Sequence, residues 1–122
     1  MGAIQPLIEQ LKNADPNSMF ARNCTWCLAN LIRGKPMPKE QDMINAIPII
    51  SKVLELSTLE ETILDASWCL SYMSDGGQAT IPLIMETGIT PKIINLTMSG
   101  DKASLCIPSL RTIGNFVTGS DE

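Results

Sequence analysis

Three pairs of side chains in this chain share one spacing: Trp26 with Asn30, Trp68 with Tyr72, and Arg111 with Asn115. Four residues is about one helical turn, so each pair lies on one helix face. The chemistry open to them is recognition. An Asn side chain carries both an amide donor and a carbonyl acceptor, and it can hold one peptide unit of an extended chain by its N–H and C=O. Two successive indoles make a slot with flat apolar walls. A Lys or Arg stem fits such a slot, with cation–π attraction to the rings. An acidic residue at the slot's end would complete the site.

The elements that must position these pairs follow from their register. Trp26 to Trp68 is 42 residues and Trp68 to Arg111 is 43. Asn30, Tyr72 and Asn115 keep the same steps, as do Gly34, Gly76 and Gly119, and Pro6, Pro48 and Pro91. A period of roughly 40 to 47 residues marks a helical solenoid of the armadillo or HEAT kind. The pattern predicts an all-α, right-handed armadillo-repeat superhelix occupying residues 1–122. Its repeats run approximately 2–36, 37–77 and 78–122, the first partial at its N-terminal end.

Apolar spacing at Ile4, Leu7, Ile8 and Leu11 predicts a first helix, and a longer one follows from Met19 to Ile32. Short and longer helices are expected over Glu40–Asn45 and Ile47–Leu56, with Pro48 in the first turn of the second. Further helices are expected over Glu60–Met73, Gln78–Glu86, Pro91–Met98 and Lys102–Val117, about eight in all. Pro108 should kink the last or delay its regular start. Gly34 and Asp75-Gly-Gly77 read as helix stops. Stacked repeats set the long helices side by side, about 8–10 Å apart. At about 3.3–3.6 Å per peptide residue, three repeats span roughly six or seven residues of an extended ligand.

Hydrophobic residues make up 44% and charged residues 18% of the 122 residues, which is enough apolar material for a core. The net charge of −4 argues against nucleic acid as the main partner and suits a basic one. Apolar runs are short, so no membrane span is read. Met1-Gly-Ala-Ile-Gln-Pro6 lacks the features of a signal peptide, and cytoplasm or nucleus is the expectation. Of four cysteines, Cys24 and Cys27 form a single CxxC. With no His and no second CxxC a structural zinc site is not expected, nor any other cofactor. The four read as reduced, small hydrophobes. No phosphate loop or nucleophile elbow is present, and Glu60, Glu61 and Asp65 read as a solvated helix face, so no enzyme is expected.

A Trp four residues from a small polar residue is ordinarily core packing. Core positions keep their apolarity, however, whereas these run Trp, Trp, Arg and Asn, Tyr, Asn. Leu28, Leu70 and Ile113 beside them have the regularity of a core, which leaves the paired residues as an exposed ladder.

At these residues the chain resembles the importin-alpha family of armadillo adaptors for nuclear localisation signals. The stretch from Asn23 through Trp26 and Asn30 to Pro36 is similar to that family's fourth repeat. Leu64 to Gly76 is similar to the fifth, where Tyr stands for Asn. Pro108 to Asp121 is similar to the sixth, where Arg stands for Trp. The resemblance implies that Trp26 and Trp68 flank Lys or Arg stems of a signal peptide. Asn30 and Asn115 would bind its backbone, and Tyr72 would line the groove. Asn23 and Asp65 match groove-lining polar positions, with Asp65 meeting a basic side chain. Asp121 matches an acidic position at the start of the family's second pocket. Arg111 would divide the two pockets and pair with acids.

The family's principal lysine pocket draws on earlier repeats that have no counterpart in this sequence, so weak binding is expected. The N-terminal basic segment that binds importin-beta also has no counterpart, and direct importin-beta binding is not expected. Neither end reads as a polar cap, which predicts self-association through the ends or contact with a partner chain. The rival expectation is a structural armadillo segment that self-associates or packs in a larger assembly without cargo of its own.

Overall fold

The computed structural model of the chain describes residues 4–33, 40–75, 80–98 and 103–120. Within them lie seven helices and no strand: α1 (Ile4–Lys12), α2 (Met19–Arg33), α3 (Glu40–Leu56), α4 (Glu60–Asp75), α5 (Thr80–Glu86), α6 (Thr90–Met98) and α7 (Ala103–Ser120). They form two layers. The long helices α2, α4 and α7 lie side by side in chain order, and α1, α3, α5 and α6 back them. Each long helix therefore meets only its neighbours, as in a solenoid.

Local signals explain the helix starts. Asp15 Oδ1 accepts the Asn17 N–H at 2.9 Å, and Ser18 Oγ accepts the Ala21 N–H at 3.1 Å, which caps α2. Glu60 and Glu61 sit in the first turn of α4, where negative charge suits the helix dipole. The Asn17 side-chain carbonyl reaches across to accept from the Thr58 N–H at 2.7 Å and its hydroxyl at 3.0 Å, tying the first loop to the start of α4. Between α5 and α6, Gly88 takes a φ of 79°, and its N–H donates to the Met85 carbonyl. Such a left-handed residue ends a helix at least cost when it is glycine.

The core runs between the layers. Leu28, Leu70, Ile50, Leu54, Met73, Ile84 and Ile93 are fully buried, and Ile113 packs partly buried against them. Leu28, Leu70 and Ile113 thus occupy the inward face expected of them.

Pro48 behaves differently from expectation. The segments expected as separate helices over Glu40–Asn45 and Ile47–Leu56 are one helix, α3, with Pro48 inside it. Proline removes one backbone hydrogen bond and crowds the preceding turn. Here its ring lies on the exposed face, and buried Met43, Ala46, Ile47 and Ile50 hold both halves on one core. Pro108 likewise lies within α7, and its carbonyl accepts the Thr112 hydroxyl at 2.8 Å. The expected eight helices are therefore seven among the described residues. Gly34, the break at Lys35-Pro-Met-Pro38, Gly76-Gly77, and residues 78–79 and 102 lie outside the described residues.

Candidate peptide groove

The face of the long helices turned away from the core carries the paired residues. On α2, Arg22, Trp26, Asn30 and Arg33 follow one another at helical spacing, and α4 carries Glu61, Asp65, Trp68, Tyr72 and Asp75 in the same way. Buried Thr25, Leu28 and Ala29 beneath, and Ala66, Cys69 and Leu70 beneath α4, anchor the two rows.

Trp26 and Trp68 stand on either side of a cleft of about 340 Å³ lined by Ala29, Asn30, Arg33, Asp65 and Tyr72. Trp26 is 58% exposed, so its ring is available to a ligand. Trp68 is half-buried, its ring stacked on Tyr72 with centroids 5.5 Å apart and planes 25° from parallel. This offset pair makes one wall stiff. Asn30 Oδ1 accepts from the Arg33 guanidinium at 3.3 Å. A second cleft of about 480 Å³ adjoins the first and is lined by Arg22, Asn23, Trp26, Glu61, Leu64 and Asp65. Across it Arg22 pairs with Glu61 at 2.5 Å. Asp65 lines both clefts. Burial raises its carboxyl above the usual carboxylate range, Arg22 opposes that rise, and Glu61 adds to it. Two indoles, an amide and a carboxylate are thus gathered around space that a cationic stem can enter.

The next step along the ladder is arranged otherwise. Arg111 forms an ion pair with Asp75 and donates to Ser71 Oγ at 3.0 Å. Its guanidinium carbon stands 5.5 Å from the centroid of the Tyr72 ring, within cation–π range. Asn115 turns its amide nitrogen to Ser74 Oγ and to Asp75 Oδ1, both at 2.8 Å. The chain's own guanidinium fills the place beside Tyr72.

The structure thus gathers Asn23, Trp26, Asn30, Asp65, Trp68 and Tyr72 about two adjoining clefts and sets Arg111 and Asn115 against the end of α4. Asp121 lies outside the described residues. Arg22, Arg33, Ser71 and Ser74 line or brace the groove and were not singled out from the sequence, while Glu61, read as solvated surface, and Asp75, read as part of a helix stop, also belong to it. Their signal was available in the helical spacing from Trp26 and Trp68. The four cysteines are free thiols, Cys24 and Cys69 buried, and no cluster of metal-binding residues occurs among the described residues.

Comparison with known proteins agrees with the armadillo fold. The family Armadillo/beta-catenin-like repeat matches residues 1–33. Importin subunit alpha-1a of Oryza sativa subsp. japonica is 42% identical over 120 residues, 98% of this chain and 22% of the rice protein. Importin subunit alpha-3 of Arabidopsis thaliana is also 42% identical over 98% of the chain. The chain therefore spans about a fifth of the length of the curated relatives it matches, 22% in both cases. Among solved structures, a designed armadillo repeat protein in complex with the peptide (KR)4 superposes with a TM-score of 0.75. That match covers 93% of this chain and 46% of the designed one at 21% identity, and it establishes the fold. An engineered protein superposes with a TM-score of 0.77 at 18% identity, over 98% of this chain and 47% of its own.

Proposed function

We propose, from the premise that these are armadillo repeats of the importin-alpha family, that the groove binds an extended Lys/Arg-rich peptide of the nuclear-localisation-signal type. The observation that carries this reading is the open cleft between Trp26 and Trp68, lined also by Asn30 and Asp65. A lysine or arginine stem enters between the rings and its charge meets Asp65. The Asn30 amide engages the ligand's backbone and so reads an extended conformation. Asn23 adds a polar contact at the adjoining cleft, and Asp121 is assigned to a further acidic position by the resemblance alone. The role is binding without catalysis, and the chain acts in the cytoplasm and nucleus as part of an import adaptor's cargo surface.

Arg111 has a separate part. Paired with Asp75 and seated on Tyr72, it closes the second step of the ladder, between Trp68 and Arg111, to basic side chains and confines cargo to the first. Titration with a Lys/Arg-rich peptide, followed by indole fluorescence, tests the assignment. Saturable quenching that is weakened in both Trp26→Ala and Trp68→Ala is the expected result. Binding that ignores both substitutions sinks the groove assignment.

A further inference from the structure

The two adjoining clefts of the groove differ in one respect: the second already holds a cation. Arg22, one turn before Trp26 on α2, reaches across to α4 and pairs with Glu61 at 2.5 Å. Glu61 and Asp65 are one turn apart on α4, so both carboxylates lie on the face that Arg22 meets. The guanidinium acts on the second acid too, since it opposes the rise that burial imposes on the Asp65 carboxyl. These three side chains line a cleft of about 480 Å³ together with Asn23, Trp26 and Leu64. The cleft has the acids and the indole of a cation site, and a guanidinium of the chain's own within it.

Arg111 gives a measure of how firmly such a cation is held. It is gripped by Asp75, by Ser71 Oγ at 3.0 Å and by the face of Tyr72. Arg22 has the Glu61 carboxylate, on a side chain that is 66% exposed, and a weak contact of 3.8 Å with the Met19 sulfur. An exposed ion pair contributes little, because water and salt screen it. The Arg22 side chain is itself partly exposed, so its head can turn to solvent while its stem stays on α2. Arg111 is therefore a fixed occupant and Arg22 an exchangeable one.

We propose that Arg22 is a displaceable internal competitor that sets how readily the groove accepts a second basic side chain. The inference rests on the peptide-binding reading above and names a residue that grades its specificity. Two carboxylates against one guanidinium leave a single negative charge uncompensated, which matches one ligand cation. A first lysine or arginine enters between Trp26 and Trp68 and meets Asp65, while Arg22 stays on Glu61. A second one, entering the adjoining cleft, finds Glu61 already paired and binds by expelling Arg22. The second basic residue thus adds less affinity than the first.

Calorimetric titration with two blocked peptides of about seven residues tests this. One carries a single lysine among glutamines and the other three successive lysines. The readout is the ratio of their affinities. Arg22→Gln should raise that ratio several-fold, because Glu61 is then free for a second lysine. Adding Glu61→Gln should return the ratio to the wild-type value or below it. Arg33→Gln serves as the control: it removes the same charge from the open cleft, but its partner there is the Asn30 amide and no carboxylate is released. Its ratio should stay as in wild type. Helical circular dichroism should be unchanged throughout. A ratio that Arg22→Gln leaves unaltered overturns the inference while the groove reading stands. A ratio raised as much by Arg33→Gln overturns it equally, since charge alone would then be the cause. Failure of both peptides to bind the wild type and every variant overturns the groove reading, and this inference with it.

Discussion

The two steps of the ladder use the same helix face and reach opposite states. Between Trp26 and Trp68 a cleft of about 340 Å³ stands open, lined also by Asp65. Between Trp68 and Arg111 the corresponding space is filled by Arg111, which rests on Tyr72 and pairs with Asp75. The closed step displays a guanidinium over an aromatic ring with a carboxylate at its tip. That is the arrangement proposed for a cationic ligand in the open step, built from the chain's own residues. On the proposed reading a repeat need not decay to exclude a basic ligand, since Arg in the ladder position of Trp supplies an internal occupant.

The largest effect expected is the loss of both steps together. Leu70 is fully buried beneath α4, the helix that supplies Trp68 and Tyr72 to both. Leu70→Ala should cost about 2–5 kcal/mol, the usual range for a buried Leu truncated to Ala. Chemical denaturation measures this. A cost within the experimental error would mean that α4 is not the shared support of the two steps.

Separating the steps comes next. Trp26→Ala removes an exposed wall of the open step alone, and should weaken a Lys/Arg-rich peptide by about tenfold, the size of a desolvated cation–π contact. Its unfolding midpoint should stay close to wild type, because the ring is 58% exposed. Arg111→Ala should do the reverse and strengthen a longer basic peptide several-fold, because it frees Asp75 and the Tyr72 face. Its stability should fall by about 1 kcal/mol or less, as expected for a partly exposed ion pair. Calorimetric titration of both variants against one peptide checks the pair. Equal losses in the two would erase the distinction between an open and a closed step.

Asp65 sharpens the open step further. Burial raises its carboxyl, so the folded chain favours the protonated form more than the unfolded chain does. The resulting penalty on folding appears as pH rises from the usual carboxylate range through the raised one, and is complete at neutral pH. Asp65→Asn should therefore leave stability equal or higher at neutral pH, with that gain vanishing in acid, while it weakens the basic peptide. In the wild type, peptide affinity should fall as pH drops through the raised range, and this dependence should be absent in Asp65→Asn. Thermal unfolding and binding measured across pH test both. A destabilised variant at neutral pH would show that the carboxylate supports the fold.

Much of this was legible in the sequence because a solenoid repeats its instructions. The 42- and 43-residue steps placed Leu28, Leu70 and Ile113 inward and Trp26 outward without reference to distant contacts. The helices of the ladder start and end within a few residues of expectation for the same reason. The continuity of α3 through Pro48 was not legible, because a proline's local cost gives no measure of the core that holds both halves of the helix. The resemblance gave Arg111 an acidic partner, but that the partner is Asp75, held also by Asn115, was not legible. Its partners Arg111 and Asn115 lie 36 and 40 residues away, and each charge taken alone reads as solvated surface. The pairing depends on side-chain directions across two helices, which the period does not encode.

The smallest effect concerns the thiols, which report the packing beneath the ladder without disturbing it. Cys27 and Cys69 occupy the same position one repeat apart, yet Cys69 is fully buried on α4 while Cys27 is half-buried on α2. Burial, and to a lesser degree the nearby Asp65 carboxylate, push the Cys69 thiol far above its usual range. Thiolate is the reactive form, so Cys69 should resist alkylation in the native chain while Cys27 reacts. Fast labelling of native Cys69 would argue against the packing of α2 on α4.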